Sequence, residues 1–257
     1  MSQSAIHSIR DACTDPVDPT LSDTEFDLVQ SFIELLFPAY EGRGLRFHVS
    51  SDFDEFVAVR RRAADGFVYP TYDPEQSCIT PDNGFWVKIC NDAGDVVAGQ
   101  ATRLFDTADF FKLLRSGRVW SDRYLTQVPD FPFSCTLPNC AGRVAHLGGL
   151  WVDASLRGKR LASLVCATTR ALTLRNFGFH HETGLCFETI ALKRLPIDTY
   201  GHPQLALCID GYFPLTRKPE RVYLSHVSRA QAIRQIEAGW GIADPFAGSP
   251  RRIEAAA

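Results

Sequence analysis

The sequence predicts an α/β protein built on a mixed, mostly antiparallel central sheet flanked by helices. Three observations carry this. A turn rich in Asn, Asp and Gly, at 91–95, joins two β-rich runs and reads as a hairpin. A strand-like run at 144–152 is followed by a helical apolar period and then by another β-rich run. Amphipathic stretches opened by capping boxes stand near both ends of the chain. A hairpin followed by strand, helix and strand implies antiparallel and parallel pairing in one sheet, with the helices packed over it.

Each element follows in order. Ser22 and Glu25 form a capping box that opens a helix, with a stop expected near Pro38. LRFHVS (45–50) reads as a strand. DFDEFVAVRRRAADG (52–66) reads as a helix ended by Gly66, with Arg60, Arg61 and Arg62 on a solvated face. FWVKIC and VVAGQATRLF are the hairpin strands, and TADFFKLLRSG is a short capped helix. An aromatic and proline-rich insert follows, from Trp120 through Phe133 and beyond; an ordered insert of this length suggests a pocket wall.

In VAHLGGLWV (144–152), the Gly148-Gly149 pair marks a bulge or a close approach to the backbone. Leu161, Leu164, Val165, Thr168 and Leu172 fall on one helical stripe, which Gly178 terminates. GLCFETIAL (184–192) is expected to be a strand, QLALCIDGYF (204–213) to hold a short helix, and RVYLSHV (221–227) to be a strand. Ser228 and Gln231 cap a last helix.

The 257 residues are read as a flexible segment at 1–21, one domain at 22–240 with an insert near 105–142, and a flexible tail at 241–257. A net charge of −3 argues against a nucleic-acid-binding surface, so any anion site must be local. No apolar run reaches the roughly 20 residues of a membrane helix, and the start lacks a signal-peptide core; a cytoplasmic protein without a membrane partner is expected. The eight cysteines are expected to be free thiols. Cys135 and Cys140 form one close pair without a second, and His180, His181 and Glu182 alternate in direction, so no metal is expected.

VDASLRGKRLASL (152–164) sets three cations around a glycine at a helix start. Cations there oppose the helix dipole, whereas a bound anion would complement both the dipole and the unpartnered amides. The GxxxxGK[ST] and GxGxxG nucleotide motifs are absent. The stretch resembles the GNAT superfamily, the Gcn5-related N-acetyltransferases. Their signature, [Q/R]-x-x-G-x-[G/A] after a strand and turn, falls on Arg157, Arg160 and Ala162.

The resemblance implies a GNAT-like fold and an acetyl-CoA-dependent N-acetyltransferase in which an amine attacks the thioester directly. Acyl-CoA and an amine-bearing acceptor are the implied partners. The amides of Arg157, Gly158, Lys159, Arg160, Leu161 and Ala162 would hold the pyrophosphate, and the strand at Leu150, Trp151 and Val152 would pair with the pantetheine arm. Two positions depart from the pattern: Arg160 replaces the signature glycine, and Ala154 the common proline. The tyrosine that family members often use as general acid would fall at Leu207; Tyr200 and Tyr212 are nearby. A lysine-type amine, with a pKa of about 10.4, is almost wholly protonated at neutral pH, so a base is needed. His146 and Glu188 are the candidates. The alternative is a non-catalytic CoA-binding or regulatory domain.

Overall fold

In a computed structural model, residues 21–63, 66–123 and 132–242 are described. The termini expected to be flexible therefore fall outside the described residues, apart from Leu21, Gly241 and Ile242, and so does 124–131 of the insert.

Helix α1 (Asp23–Glu41) begins where the capping box places it, with Ser22 Oγ accepting from the Glu25 amide. It does not stop at Pro38. That proline lies inside the last turns, and its carbonyl accepts from Gly42 N at 3.0 Å. Proline removes one donor, but Tyr40 beyond it is buried, stacks near Phe47 and has its hydroxyl 2.9 Å from Thr168 Oγ1. Tertiary burial outweighs the local break.

Strand β1 (Leu45–Ser50) leads into α2 (Phe53–Arg62) and a 3-10 turn at Pro70–Tyr72. The hairpin is β2 (Gly84–Asn91) and β3 (Val96–Thr107). Helix α3 (Phe110–Arg115), capped by Asp109, opens the insert; then come β4 (Gly142–Val152) and α4 (Leu161–Phe177). Strand β5 (His181–Phe187), the short helices α5 (Glu188–Leu192) and α6 (Leu195–Asp198), the strands β6 (Gln204–Phe213) and β7 (Lys218–Ser228), and α7 (Arg229–Glu237) complete the described chain.

The seven strands run in the order β1-β2-β3-β4-β5-β7-β6, and every pairing is antiparallel except β4 with β5. One face buries Leu36 of α1, Ile89 and Ala145 of the sheet, Leu164 and Leu174 of α4, and Ile236 of α7. The other face is covered in two parts. Phe56 of α2 and Tyr72 pack on Trp86, while Phe110 and Trp120 of the insert pack in one cluster with Phe213. Burying each such side chain contributes roughly 1.5–3 kcal/mol. The predicted stripe of α4 is buried, but so are Arg170 and Arg175, so this helix is enclosed beyond a single face.

Three further expectations change. Helix α2 ends at Arg62, and Arg60 is not solvated: it is buried and donates to Phe67 O at 2.9 Å. The run 184–192 divides into the end of β5 and helix α5, so Glu188 opens a helix instead of lying on a strand. The stretch 204–213 is strand β6, held by its ladder to β7. No described helix is long and apolar enough to cross a membrane.

Candidate active site

Strand β4 carries a bulge where its glycine pair lies. Trp151 pairs with Gly99 and Gly148 with Ala101, which leaves one extra residue on β4. Gly149 has a φ of +63°, and a Cβ there would come within 2.7 Å of the Phe56 ring. A Cβ on Gly148 would meet Tyr72 at 2.8 Å, and the Tyr72 hydroxyl donates to the His146 carbonyl at 2.9 Å. The close approach predicted for this pair is therefore made by the protein's own aromatic rings.

Beyond the bulge, β4 and β5 part. Their parallel ladder ends at Leu147 and Gly184, although β4 continues to Val152 and β5 to Phe187. The edge of β4 at 148–152 that faces away from β3 therefore has no β5 ladder. Leu150, Trp151 and Val152 lie on this stretch. Trp151 and Val152 also border a cleft of about 850 Å³, with Arg60, Arg62, Asp95 and Arg157 among its other walls.

The chain then turns. Asp153 N–H bonds to Val97 O at 2.8 Å, and its carboxylate accepts from Ser155 N and Oγ at 2.9 and 2.6 Å. Those two bonds from Ser155 lower the Asp153 pKa. A 3-10 turn at Ala154–Leu156 follows, in the place of the common proline. Arg157 Nε donates back to Val152 O at 3.3 Å. Gly158 has a φ of +76° and open space where a Cβ would lie.

Arg160 adopts the left-handed conformation, φ +59° and ψ 16°, at the position of the signature glycine. The backbone shape associated with glycine is thus kept by an arginine, at a cost of roughly 1–2 kcal/mol. Helix α4 begins at Leu161 with no side-chain cap and no acid in its first turn. An unfilled cap and exposed Lys159 and Arg160 suit an anion.

Glu182 of β5 lies beneath α4 and is bound by Arg170. Burial alone would raise its pKa; the Arg170 charge and bonds from His202 and Arg170 outweigh that and hold it at about 2. His202 Nε2 is 3.0 Å from Glu182 Oε1, and His202 also borders Gly184 at the point where the strands part. Arg170 Nη2 donates to the Tyr200 carbonyl at 3.0 Å, which fixes the backbone beside this fork. Burial pushes the half-buried Tyr200 hydroxyl to a higher pKa.

No protein-family model matches the chain, and no curated protein does. Among solved structures it is similar to a spermidine N-acetyltransferase from Vibrio cholerae, at 6% identity and a TM-score of 0.44, over 74% of this chain and 96% of that one. It is also similar to Arabidopsis thaliana NAA60 in complex with acetyl-CoA, at 11% identity and a TM-score of 0.45, over 72% of this chain and 99% of that one.

The two expected bases occupy different surroundings. His146 is buried on β4, beside Phe105 and Phe110, with Nδ1 3.0 Å from Thr183 Oγ1. Burial, reinforced by the charges of Arg103 and His202, lowers its pKa to about 3, so the ring stays neutral at ordinary pH. Glu188 reaches solvent at the start of α5 and is paired with Arg221. Cys166 is buried in α4, its pKa pushed up to about 12 chiefly by burial, which disfavours the nucleophilic thiolate. Leu207 lies on β6, close to the bulge between Leu207 and Ile209.

Sequence reasoning missed the Arg170–Glu182–His202 group. Its members come from a helix, a strand and a loop, and no spacing rule joins them.

Proposed function

We propose that the protein is an N-acyltransferase that uses an acyl-CoA thioester, acetyl-CoA in the first place, and an amine-bearing acceptor. The reading rests on one observation: the left-handed, uncapped entry into α4 lies directly after a strand whose edge has parted from its neighbour. That combination offers main-chain donors and positive charge for a diphosphate, next to backbone groups that can pair with an extended arm.

The residues present fit the co-substrate. The amides of Arg157, Gly158, Lys159, Arg160, Leu161 and Ala162 would bind its phosphates. The backbone of Leu150, Trp151 and Val152 would orient the arm, and an amide at or near Val152 would stabilise the oxyanion. When bound, the co-substrate supplies an acyl carbon activated as a thioester, with a thiol as leaving group. Glu188, which reaches solvent, accepts the amine proton, directly or through water. His146, enclosed and neutral, positions the strand beneath. Tyr200, beside the fork, is the candidate proton donor to the leaving sulfur. The protein works in the cytoplasm as one domain spanning 22–240.

The second reading, a CoA-binding domain without catalysis, is favoured by the single fact that Leu207 stands where the resemblance expects a tyrosine. Acetyl-CoA added to the purified protein separates the two. Both readings expect a rise in melting temperature, since a ligand at 100 times its Kd stabilises by about 2.7 kcal/mol. Only the enzyme releases free thiol when a panel of primary amines is added. No thermal shift at millimolar acetyl-CoA would remove both.

A further inference from the structure

Cys140, His181 and His226 are far apart in the chain, and the sheet brings them together. Cys140 ends the insert two residues before β4, His181 opens β5 and His226 lies near the end of β7. The Cys140 sulfur, one ring nitrogen of His181 and one of His226 all lie within 4.8 Å of one another. The register accounts for this. His226 stands opposite Thr183, so His181, two residues earlier, is its diagonal neighbour on the same face.

His181 Nδ1 is 3.0 Å from His226 Nε2, and the rings lie 5.2 Å apart at 37°. The other nitrogen of His226, Nδ1, is 2.6 Å from Gln204 Oε1 on β6. A ring nitrogen that donates to an amide oxygen holds the proton, so Nε2 carries the lone pair that faces His181. Cys140 and His226 are buried and His181 is half-buried, so the cluster is open on one side.

Tetrahedral zinc, with bonds of about 2.0–2.1 Å to nitrogen and about 2.3 Å to sulfur, sets ligand atoms roughly 3.3–3.6 Å apart. The two nitrogens lie about 0.3 Å inside that spacing, and the sulfur needs to close by at most about 1.2 Å, within reach of side-chain adjustment.

We propose that Cys140, His181 and His226 bind one divalent ion of the zinc class, with solvent in the fourth position on the His181 side. One thiolate and two imidazoles suit such an ion, and Gln204 orients His226 as an outer-shell partner does. Binding replaces the thiol proton, which leaves to solvent, and the proton that His181 Nδ1 shares with His226 Nε2 moves to the other nitrogen of His181, which frees Nδ1 to ligate. The ion would clamp the end of the insert to β5 and β7. The two histidines lie level with Val144 and His146, roughly 20–25 Å along β4 from Val152, and the acyl-transfer reading does not depend on them.

The test uses the full chain, reduced and freed of metal by a chelator, titrated with Co(II) without oxygen. The expected result is a thiolate-to-cobalt charge-transfer band with four-coordinate visible bands, saturating at one equivalent and displaced by Zn(II). Cys140→Ser removes the charge-transfer band, and Cys135→Ser keeps it. His181→Ala, at a half-buried position, and Gln204→Ala each weaken Co(II) binding by about tenfold or more with an unchanged circular dichroism spectrum. A wild-type protein without the band, a band that survives Cys140→Ser, or unchanged affinity in His181→Ala would overturn the proposal.

Discussion

Arg170 on α4 and Glu182 on β5 form an ion pair, with Nε to Oε2 at 2.9 Å, Nη2 to Oε1 at 2.6 Å, and neither side chain more than 1% exposed. The guanidinium also donates to Gln235 Oε1 and Tyr200 O, and it stacks 4.8 Å above the Trp240 ring. One arginine therefore joins α4, β5, α7 and the loop beside the strand fork. Removing one charge leaves the other buried and uncompensated, a loss of about 3–5 kcal/mol. Glu182→Gln should show that loss in urea unfolding at pH 7. Glu182 titrates below its ordinary value, so its stabilisation is complete above pH 4.5 and is lost as pH falls from there toward about 2. Wild type and variant should therefore converge in acid.

His146 has the opposite effect on charge but the same direction in pH. Its folded pKa of about 3 lies below its ordinary 6.5, so between those values the unfolded chain binds a proton that the folded one excludes. Stability contributed by the neutral ring is complete above pH 6.5 and declines as pH falls through that window, by up to about 1.4 kcal/mol per pH unit. His146→Gln should flatten the acid limb of the stability curve by one proton's worth between pH 6 and pH 4. An unchanged limb would mean that the ring is hydrated and titrates normally.

The bulge on β4 leaves no space for a side chain at Gly149. A methyl group would come within 2.7 Å of Phe56, in a backbone conformation that already disfavours one. Gly149→Ala is expected to destabilise by about 1–3 kcal/mol through overpacking and strain, measured by thermal or urea denaturation. Truncating the neighbour in Phe56→Leu, Gly149→Ala should recover part of the loss, which separates the steric cause from a purely conformational one.

The helix starts were legible because their causes are local: Ser22 with Glu25 and Ser228 with Gln231 close the capping boxes that the spacing announced. The hairpin and the entry into α4 were legible for the same reason. Strand β6 was not. A bulge at Leu207 and Ile209 breaks its alternation, and its ladder to β7 comes from 218–228, so long-range pairing decides its state. The run 184–192 hides a boundary from its local pattern: the ladder to β7 ends at Phe187, and α5 begins at the next residue. Cys140, His181 and His226 share no motif at all, and only the register of the strands unites them.

Arg160 tests whether the entry into α4 stores strain. Glycine is at ease at φ +59°, and arginine is not. Arg160→Gly should raise stability by up to about 1 kcal/mol, while Arg160→Ala, which keeps a Cβ in the left-handed region, should give no such gain. Equal effects of the two substitutions on the unfolding midpoint would show that the backbone conformation relaxes.

Ala162 separates the anion site from the fold. It is the second residue of α4, half-buried, and no acid stands in the first turn of that helix. A carboxylate placed there favours the positive end of the helix dipole by about 0.3–1 kcal/mol, so Ala162→Glu should fold at least as well as wild type. The same carboxylate would repel a diphosphate seated on the first-turn amides and satisfy one of the donors itself. A loss of acetyl-CoA affinity of at least about tenfold, with an unchanged or higher melting temperature, is expected from titration calorimetry. Unaltered affinity would move the phosphates away from this turn, because the two charges could not share the helix end without cost.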